Sequence, residues 1–323
     1  MEAIPIIDIS RLSGPRADRA RAVSDIGAAC REPGFLTMTG SGVRQHLIDA
    51  MRDTVRRVFA IEDASKRAQA VTRDNYRGYI PFGLFRPNGT RAAPDRYEGY
   101  KLHFEIATED PIRQECALYG PNRWPSEVPE ARDIVLDYWQ EMDRVATILM
   151  SALEEYLGLD SGTITRNFNK PLTNMTLLHY PRQEPDAARL GIHPHKDTDA
   201  LTIIAPDPVG GLEVKSRSGQ WISPDCPNDG LIVNIGDMLE LWSGGRLIST
   251  PHRVLTQPSG DRYSFPYFAV PRHDVVIRPL LPALPGFSRP PVHCGHWSAE
   301  IWRTNWPDQD ARADTPELGT LPS

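Results

Sequence analysis

At 323 residues the chain is long enough to bury a sizeable core, in one large domain or two smaller ones. Its formal net charge is −6 with no basic run, which argues against a nucleic-acid groove; the four cysteines, Cys30, Cys116, Cys226 and Cys294, form no CxxC pair and indicate neither a zinc ribbon nor a disulfide framework. No basic region leads into an apolar stretch at Met1 to Pro5, and no apolar run is long enough to cross a bilayer, so the expectation is a soluble cytoplasmic protein with no membrane partner, in which the Asn88-Gly89-Thr90 and Asn174-Met175-Thr176 sequons are chance matches.

Ile4 to Ile9 reads as a short apolar strand. Asp18 to Arg31 has helical spacing, with Ala22, Ile26 and Ala29 on one side. Gly34 to Thr39 reads as a strand, and Val43 to Ala60 as a second amphipathic helix whose buried stripe is Leu47, Met51, Val55 and Val58. Asn75 to Asn88 is too irregular for a helix and too aromatic for a plain solvent loop. Tyr97 to Ile106 predicts a strand with Lys101, His103 and Glu105 on one face. The connection Pro121 to Pro129 leads into a long helix, Glu130 to Leu157, for which Gly158 is a stop signal.

Met175 to Tyr180 predicts a strand ended by Pro181. From there to Pro271, short strands alternate with Gly, Pro and Asp, the pattern of an antiparallel sandwich or barrel. Pro279 to Pro291 predicts an extended tail, and Trp297 to Trp306 a last helix with Trp302 and Trp306 on one face; beyond Pro307 fraying is expected. The fold class is therefore mixed α+β with a mainly β, jelly-roll core, flanking N-terminal helices and one long central helix. The expectation is a single domain over 1–323: a helix-rich part (1–170), a jelly-roll core (171–275) and a C-terminal extension (276–323).

The chemistry concentrates between Gly191 and Val254. His195 and Asp197 are two apart in front of an apolar, β-branched run, so on extended chain they share a face. His252, in the extended stretch Leu247 to Leu255, supplies a third ligand from another strand. Two His and one carboxylate on one face of an ion leave the opposite positions open, which is the ligand set of non-haem Fe(II) oxygenases. An all-His set that uses His193 stays open, with Asp197 then an unpaired carboxylate beside the site. Arg262 and Ser264, again two apart, would present a guanidinium and a hydroxyl together, a grip suited to a carboxylate. The plain alternative is a surface ion pair between Arg262 and Asp261.

With these residues in view, the chain resembles the isopenicillin N synthase-like family of Fe(II)/2-oxoglutarate-dependent dioxygenases over nearly its full length. The resemblance is carried by Ile4-Pro5-Ile6-Ile7-Asp8, Gly34-Phe35, Arg77-Gly78-Tyr79 and Gly120 to Pro125. Its most specific part is His195-x-Asp197 followed by Leu201-Thr202, then Gly210-Gly211-Leu212-Glu213-Val214, Asn234-x-Gly236-Asp237, His252-Arg253-Val254 and Arg262-x-Ser264. It departs from the family at Thr39-Gly40-Ser41-Gly42 and Leu178-His179-Tyr180-Pro181, which leaves the substrate open.

The resemblance implies a double-stranded β-helix with Fe(II) on His195, Asp197 and His252. It implies 2-oxoglutarate and O2 as cosubstrates, with the far carboxylate of 2-oxoglutarate on Arg262 and Ser264 and with Tyr180 donating to it. Asn234 to Asp237 is taken as a structural turn without chemistry. Arg77, Tyr79, Phe82, Tyr97, Lys101 and Phe268 are candidates to line a pocket for a small-molecule substrate of secondary metabolism, with Arg77 or Lys101 available to pair a substrate carboxylate. The expected reaction is hydroxylation, desaturation or cyclisation with release of succinate and CO2. Two rivals remain: an oxidase that uses iron without 2-oxoglutarate, and a jelly-roll sensor.

Overall fold

The computed structural model describes residues 3–85, 93–184, 186, 190–304 and 306. The Asn88 sequon, the end of the aromatic stretch and the tail beyond Pro307 lie outside these residues. In chain order the first half contains β1 (Ile6–Asp8), α1 (Arg16–Arg31), β2 (Phe35–Thr39), α2 (Gln45–Phe59), α3 (Asp63–Ala68), β3 (Gly78–Ile80), β4 (Glu98–His103), α4 (Ile112–Glu115) and α5 (Ala131–Leu157). The second half contains β5 (Asn174–Tyr180), β6 (Ile192–His195), β7 (Leu201–Ile204), β8 (Leu212–Lys215), β9 (Trp221–Ile222), β10 (Leu231–Ile235), α6 (Asp237–Trp242), β11 (His252–Val254), β12 (Arg262–Ser264), β13 (Tyr267–Ala269), β14 (Val276–Ile277), β15 (Val292–His293) and α7 (Cys294–Thr304). Among the described residues no helix is long and apolar enough to cross a membrane.

Two sheets face each other in a jelly roll. The larger runs β1-β2-β10-β7-β13-β5-β4-β3, with β12 also paired to β5; the smaller runs β6-β11-β8-β9. All pairs are antiparallel except β1 with β2. Strand alternation gives the large sheet two faces with different duties. Its outer face is covered by helices: α5 buries Val135, Tyr138, Met142, Val145 and Leu149, spaced three or four apart, and α1 and α2 pack against it. Each such fully buried side chain is worth about 1.5–3 kcal/mol. Gly158, at φ +69°, ends α5 in the left-handed region where a side chain would be strained.

The forecast elements are present with shifted ends, and α3, α4 and α6 are additional. Asn234 to Asp237 is less a turn than a junction: it closes β10 and starts α6 directly. The strand at 97–106 stops at His103. Glu105 lies past it, where its carboxylate accepts from the Asn122 amide, the Trp124 indole and Arg132. The last helix begins earlier than expected, at Cys294, and ends at Thr304, so Trp306 lies past it; Trp302 and Trp306 nevertheless both pack on the cluster of Val71, Tyr76, Ile80 and Phe85.

One buried polar knot ties the helical layer to the sheet. Glu98 on the outer face of β4 accepts from Lys66 Nζ of α3 at 2.8 Å, Tyr79 Oη of β3 at 2.6 Å and His179 Nδ1 of β5 at 2.7 Å. Burial alone would raise its pKa, but the bonds from His179, Lys66 and Tyr79 outweigh burial and hold it at about 2. A carboxyl depressed in the folded state stabilises fully above its unfolded value and loses that contribution as pH falls toward the folded one. Glu98→Gln is therefore expected to destabilise by about 1–3 kcal/mol at neutral pH. In urea unfolding followed against pH, the gap between wild type and variant should be constant above pH 5 and narrow from about pH 4.5 downward toward about pH 2; a gap undiminished at pH 3 would reject the role.

Candidate metal and cosubstrate centre

The pairing of β6 with β11 sets His252 directly opposite His195. The two imidazoles are cross-strand neighbours, with ring centroids 4.3 Å apart. Asp197, two residues past His195, brings Oδ1 to 3.7 Å from His195 Nε2 and 3.6 Å from His252 Nε2. The three ligand atoms all lie within 4.8 Å of one another, and these residues form the one such metal-capable group among those described.

Hydrogen bonds define which atoms are offered. His195 Nδ1 lies 2.8 Å from the His193 carbonyl and His252 Nδ1 3.2 Å from that of Thr250. A carbonyl only accepts, so each Nδ1 carries the proton and each Nε2 keeps its lone pair for an ion. Burial pushes the His252 imidazolium below its ordinary pKa, so the ring is neutral. Burial opposes the charge of Asp197, but His252, His195, Thr202 and Asn234 together hold its carboxyl below the usual range. Neutral imidazoles and an ionised carboxylate are the states a divalent metal requires. His193 is occupied elsewhere: its backbone N–H and Nδ1 both bond Asp95 Oδ1, at 3.0 and 2.7 Å.

Two residues to which the sequence analysis gave no chemistry complete this arrangement. Thr202 Oγ1 of β7 donates to Asp197 Oδ2 at 2.6 Å, and Asn234 Nδ2 of β10 donates to the same oxygen at 2.8 Å. Both polar atoms of the carboxylate are thus assigned: Oδ2 is held by the sheet and Oδ1 faces the imidazoles. The Asp237 amide also bonds the Asp197 carbonyl at 2.8 Å. Gly236 is required for this close approach, because a Cβ there would sit 2.1 Å from Asp199 Oδ1. The signal was available in sequence: Asn234 and Thr202 interrupt buried apolar strands, and a buried amide or hydroxyl needs a partner. Beyond α6, Arg289 of the C-terminal segment donates to Glu240 Oε2 at 2.9 Å and lies 3.5 Å from Asp237 Oδ2, while the Ser249 amide donates to Glu240 Oε1 at 3.1 Å.

The second constellation lies on β12 and β5 of the large sheet. β12 pairs with β5 so that Arg262 faces Tyr180 and Ser264 faces Leu178. Arg262, Ser264 and Tyr180 are all buried, and the guanidinium lies 4.8 Å from the Tyr180 ring centroid. Its Nε and Nη1 have no hydrogen-bond partner, and no carboxylate of the described residues pairs with it. The Arg262–Asp261 pair is not formed: Asp261 instead accepts from the Arg182 amide at 2.7 Å. Phe35, Ile204, Leu212, Val214, Ile232 and Val254 make the surroundings apolar.

The remaining candidates separate. Lys101 and Phe268 meet on the inner face of the large sheet, with Nζ 5.2 Å from the ring centroid. Tyr97 lies beside Tyr180, ring centroids 6.0 Å apart. Arg77 is buried at the edge, donating from Nη2 to the Leu118 carbonyl at 2.6 Å and lying 5.9 Å from the Trp302 ring. Phe82 is 44% exposed, with the Arg96 guanidinium over its ring, so it is a surface residue. Tyr79 is not brought to the pocket: it pairs with Tyr100 on the outer face, and its hydroxyl is committed to Glu98. Period-2 alternation carries Tyr79 away because the residue that shares the inner face with Lys101 is its register partner Gly78.

Asn234→Ala should leave the fold intact while weakening Fe(II) binding about 10–100-fold, the usual cost of losing the partner of a metal ligand. Anaerobic Fe(II) titration checks this; unchanged affinity would show that Thr202 suffices.

With the geometry in place, the comparisons with known proteins can be read. A family model described as the 2OG-Fe(II) oxygenase superfamily matches residues 172–271, and one described as the N-terminal part of non-haem dioxygenases in morphine synthesis matches residues 4–127. The 2-oxoglutarate-dependent dioxygenase citB of Monascus ruber is 32% identical over 291 residues, covering 86% of this chain and 87% of that protein. A putative 2OG-Fe(II) oxygenase family protein from Caulobacter crescentus superposes with a TM-score of 0.81 at 29% identity, over 94% of this chain and 99% of that one. The structure of JOX2 in complex with 2OG, Fe and JA superposes with a TM-score of 0.77 at 27% identity, over 96% and 87% of the two chains. The chain belongs to the Fe(II)/2-oxoglutarate-dependent oxygenases, non-haem iron dioxygenases built on a jelly roll.

Proposed function

We propose that His195, Asp197 and His252 hold the Fe(II) of this enzyme, and that Arg262 and Ser264, with Tyr180 alongside, bind the far carboxylate of 2-oxoglutarate. The observation that carries the reading is the buried, unpaired Arg262 guanidinium. A buried cation without a counter-charge costs on the order of several kcal/mol unless an anion completes it, and its position beside Tyr180, among apolar side chains, suits the far carboxylate of a short dicarboxylate. Bound together, Fe(II) and 2-oxoglutarate supply the O2-dependent oxidative decarboxylation that yields succinate and CO2 and oxidises a substrate.

The protein's own residues do the rest. The two Nδ1–H bonds to backbone carbonyls fix the imidazole tautomers. Thr202 and Asn234 aim one oxygen of Asp197 at the ion. The apolar lining keeps water from the cosubstrate. The substrate is a small molecule that enters over the inner face at Lys101 and Phe268 and is hydroxylated, desaturated or cyclised. Residues 1–170, 171–275 and 276–323 act as one oxygenase domain. The cytoplasm is the compartment that fits best, since the four cysteines are all unpaired and ferrous iron also needs a reducing setting.

The test is anaerobic addition of Fe(II) and then 2-oxoglutarate to metal-free protein. Wild type should develop the visible charge-transfer band of the chelate, and Asp197→Ala should not. Arg262→Ala should need on the order of 100-fold more 2-oxoglutarate for the same band, the worth of about 3 kcal/mol of charge-assisted bonding. Turnover in air should give succinate in step with product. A band whose 2-oxoglutarate requirement is unchanged in Arg262→Ala would reject the clamp.

A further inference from the structure

We propose that the substrate is an organic acid whose anionic head pairs with Lys101 and whose adjacent carbon skeleton lies on Phe268. The inference rests on the iron and cosubstrate reading above and names the substrate class of that site.

The argument starts from register. Lys101 faces Thr176 across β4 and β5, Asn174 faces Phe268 across β5 and β13, and Phe268 faces Thr202 across β13 and β7. Thr202 holds Asp197. One row of inward side chains therefore runs from Lys101 to the metal group. Four strands at ~4.8 Å spacing make the row of backbone positions about 14 Å long, and Lys101 Nζ reaches along it to Asn174 and the Phe268 ring, which brings its charge toward the metal group.

Exposure along the row shows where it is hollow. In β4 every residue is buried except Lys101, and in β13 Phe268 is the one half-buried member. An inner face packed solid against the second sheet would bury both. The hollow is thus on the inside, beside the Lys101 side chain and the Phe268 ring.

Lys101 is held, and its charge is left unmet. Nζ donates to Asn174 Oδ1 at 2.5 Å and Thr176 Oγ1 at 2.9 Å, both neutral acceptors, and it forms no ion pair with a described residue. An ammonium has three N–H bonds, so one donor remains for a ligand. Burial pushes the amine down to about 7, opposed only at longer range by Asp199 and Asp197. A carboxylate delivered into this hollow completes both the charge and the third bond. The Arg262 guanidinium, beside Tyr180 on a different strand, is reserved for the cosubstrate, so the two acids do not compete for one cation.

The experiment titrates matched pairs of carboxylic acids and their methyl esters, aliphatic, aryl and N-acyl amino acid, into the anaerobic Fe(II)–2-oxoglutarate protein. Binding is read from the perturbation of the visible band, and substrate-stimulated succinate release in air is measured alongside. Wild type should bind acids and not their esters. Lys101→Met should lose acid binding by on the order of 10–100-fold with the unliganded band unchanged, and Lys101→Arg should keep the preference. Esters binding as well as acids, or Lys101→Met binding the acids like wild type, would overturn the proposal. An absent band in wild type would instead overturn the iron and cosubstrate reading, so the two failures are distinct.

Discussion

The structure depends on one cross-strand pair. His195 and His252 come from strands 57 residues apart in sequence, and only the register of β6 on β11 makes them neighbours. A slip of one residue would turn an imidazole to the opposite face of the sheet and dissolve the group. The remaining architecture serves to fix that register. β8 locks the other edge of β11, with Val214 opposite His252, and the large sheet reaches over through Thr202 and Asn234 to orient the third ligand. Asp197 is consequently held by one sheet while the two imidazoles belong to the other. The metal group sits astride the jelly roll.

Electrostatics follow the same division. On the inner face of the large sheet, Arg262 beside Tyr180 and Lys101 beside Phe268 are side-chain cations that the described residues leave without a carboxylate partner. Each is steadied by neutral groups: an aromatic face for Arg262, an amide and a hydroxyl for Lys101. Neutral supports orient a cation without cancelling it, so the field inside the roll favours anions at two separate cations. The knot around Glu98 behaves in the opposite way. There, charge is fully matched on the outer face, where the task is to attach helices and no ligand is involved.

Much of this was legible in the sequence. His195-x-Asp197 pointed to the proposed metal set because period-2 geometry turns spacing into direction, and Arg262-x-Ser264 pointed to the proposed clamp for the same reason. What was missed was missed for identifiable causes. Thr202 and Asn234 were visible as polar residues inside apolar strands, but which carboxylate they serve depends on pairings between β7, β10 and the loop after β6 that no local pattern encodes. Tyr79 was placed with the pocket by its position in a motif, whereas its face is set by the pairing of β3 with β4. α6 went unread beyond the expected turn at Asn234 to Asp237, because its six residues are too few to show a helical period.

Glu240 gives the C-terminal segment an unexpected standing. One oxygen of this carboxylate receives the Ser249 amide, three residues before His252, and the other receives Arg289. The same guanidinium approaches Asp237, whose amide is bonded to the Asp197 carbonyl. A single arginine far along the chain thus touches the supports of two of the proposed metal ligands, His252 on β11 and Asp197 in the loop after β6. Thermodynamic linkage is reciprocal: whatever the seating of that segment contributes to metal affinity, a bound metal returns as added grip on the segment. Resistance of the chain around Arg289 to proteolysis is, in this architecture, a report on the occupancy of a centre it never contacts.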